Sequence, residues 1–277
     1  AVILGNNTQI SDLTVNYHNS QQNPTANFAT LLISGNKKTI IENIEINYTS
    51  AKSLNSMAQA AILTSSGAES TIRGTVNIRT TGTQVFGIYG MNNAKNHIDG
   101  TINITTKGDM GIGIYTNYSS TTEVSGKINI QTSGIEGYGF VNAGSGHGNT
   151  THILSDAEIY IDSLGFYISN PFSAAEPNTL IIDKGAKIAL KDGQDETFLK
   201  TLGRYETSEK FDLTPENMLN NNLFAEYDGN WHTETIYAHI PSQPQYPQLL
   251  AQYDALISDA FYKGINLLTG QNLKINF

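Results

Sequence analysis

Tyr89, Tyr115 and Tyr167 share one register of a repeated phrase, with Val141 in the fourth place, and each follows a glycine by two residues: Gly87, Gly113 and Gly165. If those glycines face outward, so do the tyrosines, giving a flat aromatic stripe beside bare backbone. Such a stripe stacks on sugar rings or on an apolar partner surface. The bland alternative is a structural ladder, ring upon ring. These three tyrosines are the candidate binding residues. His97, His147 and His152 fall near one corner of successive coils, with Asp99, Glu123 and Asp156 close in register. A metal site needs several ligands within about 2–2.6 Å of one ion, whereas neighbouring rungs lie about 4.8 Å apart. Nothing in the spacing demands convergence, so no metal is expected. Glu42, Glu45, Asp99, Asp109, Glu136, Asp156, Glu158 and Asp162 would serve a glycosidase only as a pair about 5–9.5 Å apart in a cleft. They occupy different registers with no repeated pair. Gly111-Ile-Gly113 lacks a third glycine and lies inside a strand pattern, so it is not a phosphate loop. No catalytic residue and no cofactor is expected, and the chain reads as a non-enzyme.

The elements that must position these residues are announced by a period of 26. Ile72, Ile98 and Val124 keep that spacing, as do Val76, Ile102 and Ile128, and the glycines Gly74, Gly100 and Gly126. In-register glycines with strand-like alternation mark a stacked β-solenoid. A two-apolar motif recurs at Leu13/Val15, Ile44/Ile46, Val76/Ile78, Ile102/Ile104, Ile128/Ile130, Ile159/Ile161 and Ile188/Leu190. Seven copies imply about seven coils, with insertions at the corners near 19–25, 52–57, 144–150 and 169–177. A second strand follows each motif, as in Phe86–Tyr89, Ile112–Tyr115, Tyr138–Val141 and Leu164–Tyr167. Its alternating members Phe86/Ile88 and Ile112/Ile114 are expected to point inward and the intervening glycine outward. A third face is the short segment around Ile72, Ile98 and Val124. Asn77, Asn103 and Asn129 lie between inward residues, and in-register amides hydrogen-bond along a stack. The expected fold is an all-β, right-handed parallel β-helix over 1–191, with a mixed α/β C-terminal cap and helical segment over 192–277. In the cap, helical spacing marks Asp195–Arg204, Glu216–Phe224 and Pro247–Leu268, and alternation marks a strand over Trp231–Ile240.

Composition narrows the function class. The chain has 277 residues, only 15% of them charged, and a formal net charge of −9 with 16 Lys+Arg. That balance argues against a nucleic-acid or anionic-membrane partner, each of which needs a basic patch. There is no cysteine, so stability rests on core and stacking whatever the redox compartment. No apolar run reaches the 18 residues of a membrane-spanning helix.

The phrases Gly100–Gly108, Gly111–Tyr115 and Val124–Gly134 resemble the repeats of type V secretion autotransporter passengers, including fusobacterial-type adhesins and vacuolating-cytotoxin-like β-helix passengers. The resemblance spans about residues 8–191. It implies export, display at the bacterial outer surface or secretion, and contact with a host-cell or neighbouring-cell protein or glycan. It carries no catalytic residues. The function expected is an adhesive binding scaffold. The competing classes are an oligomerising toxin passenger segment, for which self-association is expected, and a polysaccharide-active β-helix enzyme.

Overall fold

The computed structural model describes residues 2–20, 28–51, 59–143, 148–168, 178–183 and 185–190, followed by short strands between 199 and 266. The main body is an all-β parallel solenoid of about five turns. One sheet stacks β1 (Val2–Ile3), β3 (Phe28–Ser34), β5 (Gln59–Ser65), β7 (Val85–Met91), β9 (Ile112–Thr116), β12 (Tyr138–Asn142), β15 (Leu164–Ile168) and β18 (Leu199–Thr201). The other begins with the long strands β2 (Thr8–Asn19), β4 (Lys38–Ser50), β6 (Glu69–Thr81) and β8 (Lys95–Lys107). It continues as split strands: β10 (Thr121–Val124) with β11 (Lys127–Ser133), β13 (Thr150–Ile153) with β14 (Glu158–Asp162), β16 (Thr179–Ile182) with β17 (Lys187–Leu190), and then β19 (Arg204–Thr207). Every pairing within these two sheets is parallel, so each strand finds its partner one coil away rather than next in sequence.

All seven copies of the two-apolar motif pair in one ladder, from Leu13↔Ile44 through Ile102↔Ile128 to Ile159↔Ile188. The expected seven are rungs of this single ladder, whereas complete turns number about five. The anticipated third face exists, but in β2, β4, β6 and β8 it runs without a break into the motif strand. The bend between the two halves is made by a column of left-handed residues: Asp12 (φ 54°), Asn43 (φ 51°), Gly74 (φ 70°), Gly100 (φ 136°) and Gly126 (φ 72°). Asn and Asp tolerate that region and glycine adopts it freely. At Gly126 a side chain is also barred sterically, since a Cβ would lie 2.5 Å from the carbonyl oxygen of Gly100.

Inside the coil, Leu31, Ile62, Ile88, Ile114, Phe140 and Phe166 stack against Ile72, Ile98, Val124, Ile78, Ile104 and Ile130, all essentially buried. Each fully buried Ile or Leu contributes on the order of 1.5–3 kcal/mol of transfer free energy, so the repeat of one apolar column sustains the stack. Several buried polar residues among the described ones hydrogen-bond to one another. Ser70 Oγ donates to Asn96 Oδ1 (2.7 Å), Thr116 Oγ1 to Thr122 Oγ1 (2.7 Å), and the Tyr48 hydroxyl to Gln59 Oε1.

The C-terminal expectations fare differently. Leu199–Thr201, expected in a helix, is a strand paired parallel with β15. Phe261–Tyr262 and Ile265–Asn266, also expected helical, form an antiparallel pair. Trp231–His232 is a strand as expected and pairs with Glu226–Tyr227. The expected helix over Glu216–Phe224 lies outside the described residues. The chain separates into two compact units, Ala1–His239 and Ile240–Phe277. Among the described residues no helix is long and apolar enough to cross a membrane.

Candidate functional site

The tyrosines of β7, β9 and β15 are placed by a break in strand alternation. Gly87, Gly113 and Gly139 face the interior, not the outside as expected from the sequence. A Cβ on Gly87 would sit 2.6 Å from Ile104 Cγ2, on Gly113 2.6 Å from Ile130 Cγ2, and on Gly139 2.8 Å from Ile161 Cγ2. The two sheets approach too closely there for any side chain. The following Ile88 and Ile114 are buried in the interior as well. Two consecutive inward positions put Phe86 and Tyr89 on the same, opposite side. The expected inward pairing of Phe86 with Ile88 is therefore replaced by a Phe86–Tyr89 edge contact at 5.4 Å.

On that side lies a second apolar cluster that includes Leu63, Phe86, Tyr89, Ile112, Tyr138 and Val141. Tyr89 is 3% exposed, whereas Tyr115 and Tyr167 are half-buried against the cluster. The Tyr89 and Tyr115 rings stack at 4.9 Å, and Tyr167 stacks on Tyr138 at 5.4 Å. Asn117 Nδ2 donates to both the Tyr89 and Tyr115 hydroxyls at 3.2 Å. Burial pushes the Tyr89 hydroxyl up to about 12. Burial, then the neighbouring Tyr89, raises that of Tyr115 also. These hydroxyls are neutral donors and acceptors, and nothing about them suits acid–base work at neutral pH.

Titratable groups gather instead on the outward side of the first half of the long strands. Lys38 pairs in register with Glu69 and Glu69 with Lys95; one column over run Gln9, Ile40, Thr71, His97, Glu123 and His152. Lys38 Nζ lies 2.9 Å from Glu69 Oε2, His97 Nδ1 lies 2.8 Å from Glu123 Oε2, and His152 Nε2 lies 2.9 Å from Asp183 Oδ1. The Lys38 ammonium hydrogen bond holds the Glu69 carboxyl below the usual carboxylate range, against a smaller desolvation effect. Asp99 and Asp156 do not join these histidines in any ion pair among the described residues, and His147 lies outside them. No three His, Asp or Glu of the described residues converge as a metal-ligand set. At the first three rungs the two columns border an open groove of about 370 Å³, with Asn7, Gln9, Lys38, Ile40, Glu69 and Thr71 along it.

The second half of the same sheet carries the amide ladder. Asn103 Nδ2 donates to Asn77 Oδ1 (2.9 Å) and Asn129 Nδ2 to Asn103 Oδ1 (2.8 Å). Beside it, Arg73 meets Glu42 (3.3 Å), Arg79 meets Glu45 (2.5 Å), and Lys187 meets Glu158 (2.9 Å).

No known protein family, curated protein or solved structure matches the chain.

The groove was not among the sequence candidates, although its signal is present. Lys38, Glu69 and Lys95 alternate in sign at steps of 31 and 26, the same offsets that relate the apolar motifs. Reading the polar positions by column, as the apolar ones were read, exposes them.

Proposed function

We propose that this chain is a non-catalytic binding scaffold, a type V secretion passenger that presents the outward columns of its solenoid to host-cell or neighbouring-cell molecules. Display at the bacterial surface, or release from it, belongs to the same reading. The observation that carries it is how the outer-face carboxylates are used. Glu42, Glu45, Glu69, Glu123, Glu158 and Asp183 each meet a cation or histidine on an adjacent rung. They are used in pairs between rungs, which suits a binding surface better than a pair of carboxyls with separated proton affinities. The outward amide ladder and polar columns then supply the contact groups, and many weak contacts along one surface add up.

The test is a binding screen of the purified chain on host cells and immobilised glycans, run beside polysaccharide turnover and solution mass. Saturable binding by a monomer without turnover supports the proposal. Concentration-dependent assembly with membrane binding would favour the toxin reading, and glycan cleavage would overturn the non-catalytic one.

A further inference from the structure

The groove over the first three rungs combines an apolar side chain with a charged pair and neutral polar groups. Ile40 stands in the outward column between Gln9 and Thr71 and is half-buried, so an apolar floor lies among polar walls. The walls offer both hydrogen-bond signs. Lys38 Nζ brings three donors and the Glu69 carboxylate brings acceptors only, 2.9 Å apart. Thr71 adds a hydroxyl and Asn7 an amide, and Gln9, whose Nε2 donates to Glu42 Oε2 at 3.0 Å, adds a carbonyl acceptor. Lys38 and Glu69 cancel in charge, and the chain carries −9 overall, so the groove does not favour an anion. The Lys38–Glu69 pair is open to water on the lysine side, with 69% of that side chain exposed. Such pairs contribute only about 0–1 kcal/mol, so hydroxyl groups can replace the contact at small cost. A volume of about 370 Å³ falls at the low end of the roughly 300–1,000 Å³ of small-ligand sites.

We infer that this groove is a binding subsite for a neutral saccharide, with a ring C–H face on Ile40 and neighbouring hydroxyls shared between Lys38 Nζ and Glu69. The inference rests on the binding-scaffold reading and names one place on it. A carboxylate accepting from ring hydroxyls beside an ammonium donating to them reads two hydroxyls at once. An acidic sugar would instead bring a second carboxylate beside Glu69.

The experiment is binding of the full chain to an immobilised library of neutral and sialylated oligosaccharides. Glu69→Gln and Ile40→Asp are compared with Lys127→Ala, which lies on the other half of the sheet. Neutral glycans should bind, Glu69→Gln should weaken binding about tenfold through loss of charge-assisted hydrogen bonds, Ile40→Asp should abolish it, and Lys127→Ala should leave it unchanged. In the wild-type chain, bound neutral oligosaccharide should also protect Lys38 from acetylation, read by mass spectrometry, a measurement that needs no variant. Neutral-glycan binding that ignores both groove substitutions and leaves Lys38 unprotected overturns the subsite and leaves the scaffold reading standing. Binding of sialylated glycans alone, or of cells but no glycan, also overturns the subsite. Absence of all binding removes both.

Discussion

At the scale of single residues, the glycines beside the tyrosines decide the geometry. Gly113 has no unusual φ, yet a Cβ there would lie 2.6 Å from Ile130 Cγ2 and 2.7 Å from the Gly139 carbonyl oxygen. Gly113→Ala should therefore destabilise the chain by about 1–3 kcal/mol, the usual cost of overpacking, measured by the denaturant midpoint. An unchanged midpoint would mean that the sheets are further apart than described. Tyrosine ionisation gives a second outcome. In an unfolded chain it occurs near pH 10, whereas burial moves the Tyr48 and Tyr89 hydroxyls up to about 12. A raised folded value stabilises fully below about pH 10, and the contribution is lost as pH climbs through about 12. The last part of the tyrosinate absorbance, that of the buried hydroxyls, should rise together with loss of β-sheet circular dichroism. Complete tyrosinate formation well before unfolding would contradict the buried ladder. The register of the three tyrosines was legible in the sequence, but their setting was not. Strict alternation assigns Phe86 and Ile88 to one side, and only the close sheet-to-sheet approach at Gly87 reveals the doubled inward step.

At the scale of elements, rungs are held by columns, and each column can be interrupted separately. Asn103 donates to Asn77 and accepts from Asn129, so Asn103→Ala removes two amide bonds. With each net bond worth about 1 kcal/mol, a loss of roughly 1–2 kcal/mol is expected in chemical unfolding, and no loss would mean that water replaces the ladder at no cost. The motif strands and the second strand were readable because their apolar residues recur at coil length. At Leu199–Thr201 local spacing and tertiary demand conflict. Phe198, Leu199 and Leu202 have helical spacing. The edge of β15, however, offers a row of unpaired backbone groups, and Leu199–Thr201 pairs with it. Tertiary pairing overrides a weak local preference. The groove escaped the sequence reading for a related cause: its members lie on three strands, with in-register partners 31 residues apart, and converge only after the rungs are stacked.

At the scale of the molecule, stability of a stack is a sum over rungs and their nearest neighbours. The strands of β6 and β8 pair residue for residue at an offset of 26, from Glu69↔Lys95 to Thr81↔Lys107. Deleting 74–99 joins Arg73 to Gly100 and removes one coil while every column stays in register. Deleting about half that length would turn core residues toward water, because register decides which face each side chain occupies. The most direct test of the stacked-rung account is denaturant unfolding of the 74–99 deletion beside a half-coil deletion, followed by circular dichroism. The account predicts that the whole-coil deletion keeps a β-rich spectrum and one cooperative transition at somewhat lower denaturant, while the half-coil deletion loses both. If the whole-coil deletion were as unfolded as the half-coil one, the chain would not be a stack of interchangeable rungs.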